Sequence, residues 1–292
     1  MSSIRRPLQT AWLLVSPVQA LLVLLILVPA VYIFILSFNR SSFGVSPEFV
    51  GFDNYIAVLS DGRFWKSALN TIIVVLIIVH VEILLAMGIA LLFASGTPAR
   101  ALMLAAVLAP YAVSEVTAVV MWRFLFEPDI GLLSQALAFL GLPNLDWAVN
   151  PTHGLLMVSL LSIWLNLPFT FIILYSARLG IPGELYEAAQ VDGASPWTRF
   201  RQITLPLLMP AILVAMLFRY IFAFRLFSEV WLLTGGGPAR QTEVLAIYLY
   251  LEAFRYNDFG KASATGWLLV GLSLILALFY LRQLQKEMFN AR

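Results

Sequence analysis

The chain has 292 residues, of which 61% are hydrophobic and 12% charged, with a formal net charge of +2 and no cysteine. Soluble domains average about 45–50% apolar and about 25% charged residues, so this composition leaves too few polar side chains to cover a water-soluble globule. The lack of cysteine excludes Cys-ligated zinc, iron–sulfur clusters and thiol catalysis, and a near-neutral charge without a basic stripe excludes nucleic acid as a partner.

A spanning helix needs about 20 mostly apolar residues. Six stretches meet this in chain order: 12–38, 67–94, 101–126, 154–177, 207–234 and 263–281. The expected fold is therefore all-α, a polytopic membrane protein with six transmembrane helices forming one transmembrane domain over 1–292. The first stretch follows Arg5-Arg6, but its apolar run is too long for a signal-peptide core and lacks a small-residue cleavage site, so it is kept as a span. Pro17, Pro29 and Pro110 are expected to kink their helices.

Six spans put both termini on one side. With the termini inside, the inner segments carry Arg5, Arg6, Arg100, Arg178, Arg199, Arg201, Arg282, Lys286 and Arg292, against Arg40, Arg63, Lys66, Arg240, Arg255 and Lys261 outside. The outer segments are also longer in total, so the positive-inside rule places both termini in the cytoplasm. The inner turn 95–100 is short, whereas 178–206 is far longer than topology requires. No internal repeat of the kind that marks many secondary transporters is present.

The long loop has legible local chemistry. Pro182 suits the first turn of a helix, Glu184 and Glu187 complement the helix dipole, and the helical run ends at Asp192-Gly193. Ser195-Pro196 then forms an N-cap and first-turn pair for a second helix through Ile203. Ala188 and Ala189 make one side of the first helix small enough for close approach by another protein; an ordinary interfacial amphipathic loop is the competing reading.

The string Glu187-Ala188-Ala189, three residues, Gly193, nine residues, Ile203, one residue, Leu205-Pro206 resembles the EAA motif of ABC importer permeases at every spacing. The resemblance extends along the chain. Leu232-Leu233-Thr234-Gly235-Gly236-Gly237-Pro238, Thr242-Glu243-Val244-Leu245, Tyr250 with Phe254, Gly51-Phe52-Asp53-Asn54-Tyr55, Phe64-Trp65, Asn70-Thr71 and Gly141-Leu142-Pro143 with Trp147 are similar to the sugar-importing branch, of the maltose/glycerol-phosphate permease type. The resemblance implies a type I ABC importer permease fold in a bacterial inner (plasma) membrane. It implies that 178–206 is a cytoplasmic coupling loop, in which Glu184, Tyr186, Glu187, Ala188, Ala189, Asp192, Gly193 and Ala194 meet a separate ATPase subunit. It further implies a heterodimer with a second homologous permease subunit, two copies of the ATPase, and an extracytoplasmic sugar-binding protein. ATP and magnesium belong to the ATPase, and no cofactor is expected in this chain. Consistently, no G-x-x-x-x-G-K-[ST] string occurs, and Gly235-Gly236-Gly237-Pro238 has no following lysine.

Ionisable groups within spans are costly and default to functional candidates. Here they are His80 and Glu82 in the second span, Glu115 in the third, and Arg219, Arg225 and Glu229 in the fifth, where Arg225 and Glu229 are expected as an i,i+4 pair on one helix. The bland reading of His80, Glu82, Glu115 and Arg225 is inter-helix pairing that holds the bundle, for example of an Arg with Glu115 or Glu82. Two His without acidic ligands at metal spacing give no metal site.

By the resemblance, the sugar pocket falls on Ser162, Leu165, Asn166 and Phe169 of the fourth span and on Arg219, Phe222, Ala223, Leu226 and Ser228 of the fifth. Pro168 is expected to interrupt the fourth helix and free carbonyls toward a cavity. Phe169 and Phe222 would stack on an apolar sugar face, while Asn166 and Ser228 would bond hydroxyls. Two readings of Arg219 stay open: a guanidinium fork for an anionic sugar, sulfonated, phosphorylated or a uronate, or an arginine neutralised by a glutamate beside a neutral sugar. Two other classes compete with the importer: an ion-coupled secondary transporter using His80, Glu82 and Glu115 as a relay, and an intramembrane enzyme. The first leaves the long 178–206 loop unexplained, and no nucleophile–base constellation supports the second.

Overall fold

A computed structural model describes residues 5–96 and 98–290. Arg292 lies outside the described residues, as do the side chains of Arg5 and Arg6, so their share of the charge asymmetry stays with the sequence. The elements in order are α1 (Arg5–Leu22), a π-helical turn (Val23–Leu27), α2 (Val28–Leu36), β1 (Asn39–Arg40), β2 (Glu48–Phe49), α3 (Asp53–Leu59) and α4 (Gly62–Ala94). There follow α5 (Arg100–Leu108), a 3-10 turn (Ala109–Ala112), α6 (Glu115–Leu125), α7 (Leu132–Phe139), α8 (Pro151–Leu179), α9 (Gly183–Val191) and α10 (Pro196–Arg199). The chain ends with a π turn (Phe200–Thr204), α11 (Leu205–Ala223), α12 (Ser228–Leu233), α13 (Leu245–Tyr250), a third π turn (Leu251–Arg255) and α14 (Phe259–Asn290). Five helices, Leu14–Leu36, Gly62–Ala94, Pro151–Leu179, Pro196–Ala223 and Phe259–Lys286, are long and apolar enough to cross a membrane. The bent pair Arg100–Ala112 and Glu115–Leu125 is apolar enough when taken together, and counted as one broken span it makes six.

Three expected spans differ in form. The third, 101–126, is two helices meeting at 105°, a break rather than the kink expected at Pro110. Two signals build it: Pro110 ends the regular ladder in a 3-10 turn, and Ser114 caps a fresh helix, its Oγ accepting from Thr117 N at 3.2 Å. The fifth, expected as 207–234, is continuous from Pro196 to Ala223 and then breaks. The second loop helix is thus the lower end of that span. The fourth contradicts the expected interruption: α8 runs unbroken through Pro168, which is buried inside it. One missing ladder bond is tolerated in a long helix held by its neighbours.

Prolines do shape the ladder elsewhere. Pro29 and Pro206 each stand two residues beyond a π turn. A proline ring clashes with the carbonyl four residues back, and widening the turn to i→i+5 bonding relieves that crowding.

The chain divides into two compact units. One comprises Met1–Gly62 and Leu249–Leu268. Within it the described side chains between Trp12 and Leu36 are almost all exposed. The two-residue ribbon pairs Asn39 with Phe49 and Arg40 with Glu48. Asn54 of α3 is buried and donates to the carbonyls of Ser37 and Asn39, both at 2.9 Å. Tyr55 Oη meets Ser37 Oγ at 2.8 Å, and the rings of Phe38, Phe52 and Tyr55 cluster beside them. Lys261 of α14 lies 3.4 Å from both Asp61 and Glu252.

The other unit is Arg63–Tyr248 with Leu269–Arg292. Its core joins Ile83, Ala86, Ala90 and Phe93 of α4, Phe171, Leu174 and Tyr175 of α8, and Leu208, Ile212 and Ala215 of α11. Ala86, Ala90 and Ala215 are wholly buried, the small residues that let membrane helices approach closely. Farther along α4, Ser67, Asn70 and Thr71 share a face by the 3.6-residue period. Asn70 Nδ2 donates to the carbonyls of Gln241 and Glu243 at 2.8 Å, Ser67 Oγ donates to Glu243 Oε1 at 3.1 Å, and Thr71 Oγ1 accepts from Leu245 N at 2.8 Å. The Gly235–Gly237 turn after α12 folds back on itself: Thr242 Oγ1 donates to Gly237 O at 2.7 Å and lies 2.8 Å from Thr234 Oγ1.

Candidate functional site

The break between α11 and α12 makes the principal site. At residues 224–227 the ladder closes in short turns, Arg225 N donating to Phe222 O at 3.0 Å and Leu226 N to Ala223 O at 3.1 Å. Beside it lies a cavity of about 250 Å³. Ser162 and Asn166 of α8 form one wall; Arg219, Phe222 and Ala223 of α11 form another. The break contributes Arg225, Leu226 and Phe227, α12 contributes Ser228 and Glu229, and Glu115 enters from the first turn of α6.

Seven of the nine pocket residues expected from sequence, Ser162, Asn166, Arg219, Phe222, Ala223, Leu226 and Ser228, therefore face one cavity. The other two do not. Leu165 lines a second cavity of about 140 Å³, at the break of the third span, together with Pro110, Tyr111 and Val113. Glu115 and Asn166 border both cavities. Phe169 packs edge-on against Phe218 and Phe222, centroids 6.2 and 6.0 Å away, so it braces Phe222 instead of facing the cavity. Of the wall residues, Phe227 was missed by sequence reasoning, because Phe-Arg-Leu-Phe-Ser contains neither Gly nor Pro to announce a break.

The charged groups separate into two sets. Arg219 and Glu82 are 1% and 0% exposed. Arg219 Nε donates to Glu82 Oε2 at 2.9 Å, and Nη2 lies 2.8 Å from the same oxygen. Thr170 Oγ1 donates to the other carboxylate oxygen. Arg219 is thus neutralised from behind by an ion pair joining α4, α8 and α11. Arg225, Glu115 and Glu229 all line the cavity. Arg225 and Glu229 do not form the expected pair on one helix, since Arg225 precedes α12, and among the described residues no ion pair of Arg225 occurs. His80 is elsewhere and exposed, its Nδ1 2.9 Å from Leu76 O.

The 178–206 segment is a second candidate. No residue of α9 is buried; only Tyr186 and Ala189 are partly covered, while Glu184, Glu187, Ala188 and Gln190 are exposed and Val191 is 88% exposed. Ala188 and Ala189 therefore do not form one open face. Pro182 stands at the N-cap, just before the first turn in which it was expected. Gly193, at φ +75°, ends the helix, with Ala194 N donating to Ala189 O at 2.9 Å, the left-handed cap that glycine adopts without steric cost. Asp192 is the residue just after α9. Ser195 Oγ caps α10 by accepting from Thr198 N at 3.1 Å. Tyr186 ties α9 down: the Arg178 guanidinium lies 4.4 Å from its ring centroid, and its hydroxyl is 2.9 Å from Thr204 Oγ1.

Comparison with known proteins fits this geometry. Residues 10–288 match the family described as binding-protein-dependent transport system inner membrane component. A sulfoquinovosyl glycerol transport system permease protein of Agrobacterium fabrum is 34% identical over 93% of this chain and 89% of its own. A trehalose/maltose transport system permease protein of Thermococcus litoralis is 32% identical over 95% and 94%. The fold is shared with a chain from a bacterial ABC transporter involved in the import of the acidic polysaccharide alginate, at a TM-score of 0.83, 21% identity and coverage of 97% and 98%.

Proposed function

Because this chain belongs to the family of binding-protein-dependent transport system inner membrane components, we propose that it is the permease subunit of an ATP-driven importer whose cargo is a carbohydrate. The membership sets aside the secondary transporter and the intramembrane enzyme. The cavity beside the α11–α12 break carries the carbohydrate reading. Ser162, Asn166 and Ser228 supply hydroxyl and amide partners, Glu115 and Glu229 supply acceptors, and Phe222 supplies a ring face. Sugar sites combine these groups, a few placed polar partners against an aromatic surface. The relatives named for sulfoquinovosyl glycerol and for trehalose and maltose support the same class.

A second, finer reading is a sugar bearing one anionic group. It rests on Arg225, since Arg219 is already neutralised by Glu82. Glu115 and Glu229 on the same walls favour an uncharged sugar.

The working assembly contains a second permease subunit, two ATPase copies that bind ATP and magnesium, and an extracytoplasmic binding protein, with both termini and residues 178–206 in the cytoplasm. α9 is the coupling helix. Its exposed Leu185 and Val191 offer apolar side chains to a partner, and Glu184 and Glu187 lie beside them for a basic groove. Alternating access then requires closed, ATP-bound ATPases to prefer one arrangement of the bundle.

ATPase activity of the reconstituted assembly, measured with trehalose, maltose, sulfoquinovosyl glycerol and alginate oligosaccharides, tests the reading. One of these sugars should stimulate hydrolysis in the presence of its binding protein. Asn166→Ala should weaken that sugar's effect by about tenfold, the cost of one or two lost polar contacts. No response to any carbohydrate, with a response to an amino acid or peptide instead, would reject the substrate class.

A further inference from the structure

We propose that Glu82 sets the charge preference of the cavity without touching its contents, by neutralising Arg219 and so biasing the site toward uncharged sugars. This rests on the carbohydrate reading of the cavity. Arg219 is a wall residue, yet its guanidinium turns Nε and Nη2 to Glu82 Oε2, at 2.9 and 2.8 Å. Glu82 is in turn fixed by Thr170, so three helices hold the pair in one geometry. The pair is fully buried, where charge interactions are screened far less than at a surface.

The charges reaching the cavity are then Arg225 on one side and Glu115 and Glu229 on the other. With Arg219 paired to Glu82, the one other arginine on these walls faces two carboxyl groups, which disfavours an anion. Without Glu82 the same walls would carry two arginines against two glutamates. Glu82 is thus a positioning residue, and charge selection is the property it controls.

The test compares, on the assembled permease–ATPase complex without binding protein, the affinity for the neutral sugar that stimulates most strongly and for the same sugar oxidised at one terminal hydroxymethyl to a uronate. The wild type should favour the neutral sugar. Glu82→Gln should shift the ratio toward the uronate by about tenfold, the effect of one uncompensated charge in a partly screened site. Glu82→Asp, which keeps the charge, should retain the wild-type ratio. A general packing defect would move both affinities and leave their ratio alone.

Removing one partner of a buried pair is strongly destabilising, so Glu82→Gln is expected to assemble less well than the wild type. The double variant Glu82→Gln/Arg219→Gln removes both charges together and keeps the test open. It should preserve the wild-type ratio, because the pair it deletes is neutral as seen from the cavity. A double variant that loses uronate affinity about tenfold relative to the neutral sugar would overturn the proposal, since Arg219 would then be presenting its charge to the cavity. An unchanged ratio in an assembled Glu82→Gln would overturn it equally. A complex that binds no sugar at all would remove the carbohydrate reading instead, a result distinguishable from either.

Discussion

Gly260→Ala is expected to lower the melting temperature of the purified protein by about 10 °C. A Cβ at this position would lie 2.2 Å from Asn39 O and 2.8 Å from Asn54 Nδ2. The first of those atoms is backbone and cannot swing away. The second belongs to the buried amide that ties Ser37 O and Asn39 O together, and Phe259 N also bonds Ser41 O at 2.9 Å next to it. Overpacking costs about 1–3 kcal/mol, and a buried amide pushed off its acceptors costs about the same again. A total of roughly 3 kcal/mol corresponds to a shift of about 10 °C at the 2–4 °C per kcal/mol expected of a chain this size. Gly88→Ala supplies the contrast: no atom lies within 4 Å of its added methyl, so it should be neutral or slightly stabilising in the middle of α4. Thermal unfolding in detergent, followed by monodisperse recovery after heating, measures both. Equal melting temperatures for Gly260→Ala and the wild type would mean that Asn54 does not hold this corner.

Tyr186→Ala should uncouple the transporter, lowering sugar uptake at least tenfold while the ATPase subunits still hydrolyse ATP. Tyr186 is the α9 side chain whose contacts reach the neighbouring spans. Its ring takes the Arg178 guanidinium from the end of α8, and its hydroxyl meets Thr204 in the π turn inside the fifth span. The alanine loses both contacts and a ring packed against the core that includes Ile181 and Leu208. A cation–π contact contributes about 0.5–2 kcal/mol and a hydrogen bond about 0.5–1.5 kcal/mol, comparable to the coupling energies of about 1–3 kcal/mol that transmit one site's state to another. Tyr186→Phe keeps the ring and should fall between the two. The measurement is sugar transported per ATP hydrolysed in proteoliposomes. Loss of hydrolysis and uptake in equal proportion would place Tyr186 in assembly instead of in coupling.

The parts of this molecule legible in its sequence are those with a short-range cause. Ser195 before Pro196 announces a cap, Asp192-Gly193 announces a left-handed stop, and both occur where expected. Ser114 followed by Glu115 is an equally good cap signal, and with Pro110 it foretells the break in the third span; overall hydrophobicity concealed it. The α11–α12 break has no such signal. No glycine, proline or capping bond marks residues 224–227, and the turn there is set by packing among helices distant in sequence. For the same reason Arg225 could not be separated from Glu229 beforehand. The partner of Arg219 was one of two glutamates by residue type, and only the juxtaposition of α4 with α11 selects Glu82 over Glu115. Pro168 illustrates the opposite error, a strong local signal overruled by the surrounding bundle.

The 105° bend between Arg100–Ala112 and Glu115–Leu125 alters what a solute must cross. At 1.5 Å of rise per residue the two pieces measure about 20 Å and about 16 Å, and neither reaches across a hydrocarbon layer of about 30 Å. The irregular backbone between them must lie against protein or water, because lipid cannot satisfy its polar groups, and the cavity holding Pro110, Val113 and Asn166 provides that setting. For a solute beside Glu115 and Asn166, the third stretch therefore offers irregular polar backbone and two short helices in place of one continuous apolar rod.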